Sequence, residues 1–245
     1  MAYTGEYGMG DFGKGGLNDQ LDADTVVREI GLDEEEIRWR KEFIGFDEDD
    51  VARLQRYEES FADNAEQVAD DFYDNITDHE ETVEIIGRSP KDIEALKRTQ
   101  SAYLSTLARG SYGEEYFRQR ARIGKIHDLL DMPMKHYLGQ YGVYYDLILP
   151  LVGDRLIESL TEELCGIATD GGVVAGRDGD GTVDEPSPGL PGELEATIEA
   201  EVNDALEDIL SILRIINLDM QVVTDTYIHS YSERLEEEIA RTDRL

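Results

Sequence analysis

Cysteine is nearly absent from this chain: Cys165 is the only one among 245 residues. A single cysteine excludes an internal disulfide, and it also excludes zinc or iron–sulfur sites built from several thiolates. Such scarcity is typical of proteins that fold in a reducing compartment. We therefore expect an intracellular protein whose core is held together without covalent cross-links.

Basic residues are also scarce, with 23 lysines and arginines against 56 acidic residues and a formal charge of −33. A field of this sign repels phosphate backbones and anionic lipid headgroups, so we expect no nucleic acid and no membrane among the partners. The acids are spread along the whole chain. Such a coat repels itself unless concentrated salt screens it, over roughly 3 Å at 1 M. The composition therefore predicts the cytoplasmic protein of a halophile.

Long apolar runs are missing as well. The first sixteen residues contain six glycines and no apolar run, so they do not form a signal peptide. The most apolar stretch, residues 141–153, contains Asp146 and Pro150 and is shorter than the ~20 residues that span a bilayer. No alternating strand pattern occurs, while apolar residues at helical spacing are frequent. The sequence predicts a soluble protein of the all-α class.

The helical pattern divides the chain into a tail and one domain. Residues 1–21 are predicted to be a flexible N-terminal tail, and residues 22–245 carry helical spacing nearly throughout. Within the domain, residues 166–192 hold eight glycines and three prolines, which predicts a flexible insertion. This insertion separates two long helices, about 133–165 and 193–240. Their apolar faces are so wide that each helix needs more than one packing partner.

Three local signals predict helix starts earlier in the domain. Asp33, which precedes three glutamates, and Asp47 are acidic caps at positions where a helix N-terminus favours negative charge. Ser89 and Pro90 predict a third start, with the serine as the cap and the proline at the first helical position.

Two residues with polar groups occupy apolar helix faces. His127 shares a face with Ile123 and Leu130, and Tyr73 lies next to Phe72. A buried neutral imidazole can be satisfied by a backbone carbonyl, and a tyrosine on an apolar face can be ordinary packing. From spacing alone, a structural role and a ligand-binding role both remain open for these two side chains.

A more specific pattern extends over six segments of the chain. The most distinctive part is residues 122–127, Arg-Ile-Gly-Lys-Ile-His. Its spacing along the chain from the Phe-Tyr and Thr-Gln segments is equally specific. Together the segments resemble the globin-coupled sensors, and within them the sensor domain of archaeal haem-based aerotaxis transducers. The segments are Leu32–Trp39, Phe72–Asp74, Leu96–Gln100 with Tyr103 and Leu104, Arg120–His127, His136–Gly139, and Asp225–Ile228 with Ser230 and Tyr231.

This resemblance implies a globin-like helical sandwich with an extra N-terminal helix and two long C-terminal helices. It makes His127 the proximal ligand of a haem iron, Tyr73 and Thr99 the distal hydroxyl groups, and Tyr137 the tyrosine on the proximal side. The haem would be a non-covalent haem b, because the chain has no Cys-x-x-Cys-His segment. The implied ligand is O2, with CO or NO as further ligands, since a hydroxyl donor stabilises the partly anionic oxygen of bound O2.

The resemblance also implies a signalling role and no enzymatic activity. It implies a homodimer through the two long helices and a downstream methyl-accepting signalling domain that receives the ligation state for aerotaxis. Helical character persists up to Arg244 and Leu245, which predicts a fragment of a longer transducer. Two alternatives stay open. A haem enzyme of the dioxygenase or peroxidase type would need a distal acid–base group, and a cofactor-free helical interaction module would show no Soret absorption.

Overall fold

The computed structural model describes residues 16–170 and 190–242, and every regular element in these ranges is helical. The prediction of the all-α class is therefore confirmed. A short 3₁₀ helix, Gly16–Gln20, precedes nine α-helices. They are α1 (Ala23–Glu29), α2 (Glu34–Ile44), α3 (Glu48–Gln55), α4 (Glu58–Thr77), α5 (Glu80–Ile86), α6 (Ile93–Leu107), α7 (Glu114–Leu129), α8 (Met134–Asp170) and α9 (Leu190–Thr242).

The two long C-terminal helices are longer than their sequence patterns indicated. Helix α8 runs on to Asp170 and α9 begins at Leu190, so both ends of the predicted insertion 166–192 are helical. Its remaining residues, 171–189, lie outside the described ranges, as do residues 1–15 of the predicted tail. No helix in the described part of the chain is both long and apolar enough to cross a membrane.

Two of the three predicted helix starts are confirmed. Asp33 accepts a hydrogen bond from the backbone N–H of Glu36 at 2.9 Å, and Asp47 forms a reciprocal capping box with Asp50. The start predicted at Ser89 and Pro90 is wrong. Helix α6 begins only at Ile93 because the carboxylate of Asp92 caps it, accepting from the N–H of Ala95 at 2.8 Å.

Two compact units divide the chain. The larger comprises the chain up to Ile148 together with the part from Ser211 onward, and the smaller comprises Leu149–Leu210. In the larger unit α4 packs along α6 and α1 packs against α7. The largest fully buried apolar and aromatic side chains of this unit form its core: Tyr57, Tyr116, Tyr144, Phe61, Phe72, Phe117, Leu54, Leu104, Leu107, Ile148 and Ile212.

In the larger unit, α7 crosses α9 at very close range. A β-carbon added to Gly124 would lie 3.0 Å from Cβ of Thr226 and 3.1 Å from Cα of Val223. The second of these neighbours is backbone and cannot move aside, so only glycine permits this approach. The crossing is strengthened one helical turn earlier by Arg120, whose Nε donates to Oδ2 of Asp219 at 2.9 Å; both side chains are 1% exposed.

The smaller unit contains the second part of α8 and the first part of α9. Here Ser159 of α8 donates a hydrogen bond to Glu201 of α9 at 2.5 Å. Several of its large apolar side chains are exposed, among them Ile157 at 64% and Leu206 at 52%. Along α9 the exposed apolar residues recur at steps of four, which places them on one face: Leu194, Ile198, Val202, Leu206 and Leu210.

Replacing Gly124 by Ala should lower the free energy of unfolding by about 1–3 kcal/mol, the usual cost of overpacking a tight core. Chemical denaturation followed by circular dichroism measures the change. Gly142→Ala is the matched control, because a β-carbon there has no described atom within 4 Å and alanine favours the helix by up to ~1 kcal/mol. Equal stability of the two variants would contradict the close crossing.

Candidate functional site

A cavity in the larger unit brings together all four side chains that the resemblance singled out. Tyr73 of α4, Thr99 of α6, His127 of α7 and Tyr137 of α8 all line it. The cavity has a volume of about 150 Å³ and opens to solvent. Much of the remaining lining is apolar: Leu17, Phe72, Ile76, Ile85, Ile86, Leu96, Ile123, Ile126, Leu130 and Met132.

His127 is held in a defined tautomer. Its Nδ1 lies 2.9 Å from the carbonyl oxygen of Ile123. Since a carbonyl oxygen only accepts, Nδ1 carries the proton and Nε2 keeps its lone pair. Burial lowers the pKa of His127 below its ordinary value, which favours the neutral imidazole. The ring of Tyr137 meets the imidazole edge to face at a centroid distance of 5.2 Å, which further restrains its orientation.

The two hydroxyl groups of Tyr73 and Thr99 differ in the availability of their protons. Thr99 donates its hydroxyl proton to the carbonyl oxygen of Ala95 at 2.9 Å and lies 3.4 Å from the Nζ of Lys91. The hydroxyl of Tyr73 makes no hydrogen bond to any described residue. Burial raises the pKa of this phenol well above its ordinary value, so it remains protonated. Tyr73 is therefore the better placed donor to a ligand in the cavity.

In the structure Tyr137 belongs to a wall of four tyrosines, three of which sequence reasoning did not assign to the site. Tyr141 and Tyr144 follow Tyr137 on α8 at steps of four and three, and Tyr103 of α6 joins them. The hydroxyls of Tyr137 and Tyr141 are 2.9 Å apart, and the side-chain amide of Gln100 donates to the hydroxyl of Tyr144. The spacing on α8 was visible in the sequence as one helix face, whereas the partners on α6 were not.

This tyrosine wall leads to the buried ion pair behind it. The hydroxyl of Tyr103 donates to Oδ2 of Asp219 at 2.9 Å, the same oxygen that accepts from Arg120. Arg120 also donates to Thr106 at 2.8 Å, and its guanidinium lies 3.9 Å from the ring centroid of Tyr116. Tyr103 thus connects the cavity to the crossing of α7 and α9, because it both lines the cavity and binds Asp219.

Lys91 is a further lining residue that no sequence signal identified. It is the only lysine or arginine in the cavity lining of the described ranges. Partial burial lowers the pKa of its ammonium group. The lysine therefore places one positive charge beside an otherwise apolar and hydroxyl-rich wall, where an anionic group of a bound molecule would be stabilised.

The fold and this cavity define a globin-like helical protein with a neutral histidine and a tyrosine donor in one pocket. The Protoglobin family model matches residues 33–233. Since this range is most of the chain, the chain belongs to the Protoglobin family. The resemblance to globin-coupled sensors stated from the sequence is thereby confirmed at the level of the family.

Individual proteins similar to this chain include a curated transducer and a solved globin domain. The heme-based aerotactic transducer HemAT of Halobacterium salinarum is 35% identical over 225 residues, which are 92% of this chain. The chain spans 39% of the length of that transducer. The globin domain of the Geobacter sulfurreducens globin-coupled sensor superposes with a TM-score of 0.50 at 19% identity, covering 78% of this chain and 96% of that domain. This second likeness concerns the fold.

Proposed function

We propose that this chain is a haem-based sensor domain that binds O2 reversibly and passes its ligation state to a signalling module. The observation that carries the proposal is the cavity itself: a neutral histidine with a free Nε2 lone pair and a tyrosine with an uncommitted hydroxyl proton line the same apolar pocket. The 35% identity to an aerotactic transducer supports the same function.

The side chains of the cavity fit a non-covalent haem b. His127 would ligate the iron through Nε2, because Nδ1 is held by the carbonyl of Ile123. The apolar walls would bury the macrocycle, and the ammonium group of Lys91 would pair with a propionate carboxylate. When bound, haem supplies a ferrous iron with one open position at which O2, CO or NO can bind reversibly.

Tyr73 and Thr99 would supply the hydroxyl groups on the ligand side of the haem, and Tyr137 would pack on the side of His127. Tyr73 would be the main donor to the bound ligand, because the hydroxyl proton of Thr99 is already donated to the carbonyl oxygen of Ala95. A hydrogen bond to a partly anionic acceptor is stronger than a neutral one. This donor discriminates in favour of O2 over CO, whose bound form carries less negative charge.

The signal would leave the cavity through α7. This helix carries His127, and it contacts α9 both at Gly124 and through the ion pair of Arg120 with Asp219. A change in the position of His127 is therefore transmitted to α9. The resulting shift between two arrangements can be no larger than the difference in O2 affinity between them. A methyl-accepting signalling domain in a longer chain would receive this signal for aerotaxis.

A homodimer would cover the exposed apolar face of the smaller unit. The face formed by Leu194, Ile198, Val202, Leu206 and Leu210 has the helical spacing of a bundle interface. Isologous pairing with the same face of a second copy would remove these side chains from water. The proposed interface therefore centres on this face of α9, one of the two long helices.

The direct test is His127→Ala. The variant should lose haem during purification, because no other described histidine lines the cavity. Soret absorption of the reduced protein, with and without CO, measures the occupancy. His136→Ala is the matched control, since His136 pairs with Glu81 outside the cavity. Full haem retention by the His127 variant would contradict the ligand assignment, and a wild-type protein without Soret absorption would favour the cofactor-free interaction module.

Tyr73→Phe should raise the O2 dissociation rate by roughly 10- to 100-fold, the equivalent of a charge-assisted hydrogen bond of about 1.5–3 kcal/mol. Stopped-flow measurements compare this rate with CO dissociation, which should change little. Thr99→Val should have a smaller effect on O2, because its proton is given to Ala95. A larger effect at Thr99 than at Tyr73 would reverse the assigned order of the two donors.

Leu206→Glu should weaken the homodimer, since it places a charge in the centre of the proposed apolar face. Sedimentation velocity over a concentration series at molar KCl measures the dissociation constant. Asn203→Glu adds the same charge at an exposed polar position of the same helix and should leave the dimer intact. A wild-type chain that stays monomeric, or equal weakening by both variants, would exclude this interface.

A further inference from the structure

A second group of ligating side chains lies outside the cavity, where the end of α1 meets the later part of α9. Glu29 is the last residue of α1, and His229 and Glu233 are one turn apart on α9. The Nε2 of His229 lies 3.5 Å from Oε1 of Glu233 and 3.8 Å from Oε2 of Glu29. One ligand atom from each of the three residues lies within 4.8 Å of the other two.

These distances are longer than hydrogen bonds but suit two ligands of one metal ion. Ligands held about 2.1 Å from a tetrahedral zinc ion are separated from each other by about 3.4 Å. The Nε2 of His229 is buried from solvent and forms no hydrogen bond with any described residue. The buried imidazole nitrogen thus faces two carboxylates, and a single metal ion placed between them would bind all three groups.

We infer that Glu29, His229 and Glu233 form a binding site for a divalent transition metal of the zinc type. One imidazole nitrogen and two carboxylates suit Zn²⁺, whereas Mg²⁺ and Ca²⁺ prefer oxygen ligands throughout. The two carboxylates are partly exposed, at 36% and 49% for Glu29 and Glu233, so water can complete the coordination. A dication would neutralise both carboxylate charges at once.

The site differs from the many other acidic surfaces of this chain. Within residues 16–170 and 190–242 it is the only group of three or more His, Cys, Asp or Glu side chains with converging ligand atoms. A bound ion would join α1 to α9 within the larger unit and so restrain the later part of α9. None of the three residues lines the cavity, so the metal site and the proposed haem site can fail independently.

The experiment is a Zn²⁺ titration of the purified full chain, in competition with a chromophoric chelator, in a buffer with excess Mg²⁺ to occupy nonspecific carboxylates. We expect one site per chain and a rise in the thermal midpoint with Zn²⁺. His229→Gln, Glu233→Gln and Glu29→Gln should each weaken binding by about tenfold or more, since even loss of an outer-shell partner costs 10- to 100-fold.

His136→Gln is the matched control. The Nε2 of His136 lies 2.9 Å from Oε2 of Glu81, but Lys135 occupies the same carboxylate oxygen and no second carboxylate completes the group. This variant should keep wild-type Zn²⁺ affinity. Circular dichroism confirms folding, and Glu29→Gln replaces His229→Gln if the latter unfolds. Zn²⁺ affinity that is equal in wild type and the Glu29 and His229 variants, or that falls with His136→Gln, would overturn the site.

Discussion

The ion pair between Arg120 and Asp219 is the constraint on which the larger unit depends. Both charges are removed from water, and loss of either partner would leave the other charge buried and uncompensated, which is strongly destabilising. Tyr103 and Thr106 provide hydroxyl partners, and the rings of Tyr103 and Tyr116 lie against the guanidinium. Because these partners are all fixed in the core, α7 can meet α9 in one register only. His127 follows seven residues after Arg120, two helical turns along the same face, and so takes its position from the pair.

Ion pairs join helix α9 to three other helices, α2, α3 and α7. Few basic residues are present in this acidic chain, yet several of them bridge α9 to another helix. In a chain with a formal charge of −33, such bridges between opposite charges oppose the general repulsion where it would separate the helices. Besides the buried pair, the bridges are Arg40 of α2 with Asp225, Asp50 of α3 with Arg214, and Asp128 of α7 with Arg234. Those that include a buried partner are screened less by salt than surface pairs are.

The cavity and the α7–α9 crossing serve different parts of the proposed function but share side chains. Tyr103 lines the cavity and also donates a hydrogen bond to Asp219 of α9. A ligand-dependent movement of the tyrosine wall would therefore reach α9 directly. Gly124 allows α7 and α9 to approach closely at their crossing, because it has no side chain to separate them. The exposed apolar face of α9 lies earlier in the helix, within the smaller unit, and is the surface proposed for a second copy. The proposed sensing and the proposed assembly would thus involve the same helix at different positions.

The sequence by itself determined those features whose causes lie within one or two helical turns. Spacing predicted the all-α class and the long C-terminal helices, and the caps at Asp33 and Asp47 were readable because cap and backbone partner are three residues apart. The family motif singled out His127, Tyr73, Thr99 and Tyr137, and the structure places all four in one cavity. Tertiary packing alone decided the rest. Lys91 lines the cavity, Thr99 donates its hydroxyl proton to Ala95, and Arg120 forms an ion pair with Asp219. Glu29 meets His229 in the same way, 200 residues away along the chain. These contacts depend on which helix faces cross and how closely, and no local spacing encodes the distance between two helices.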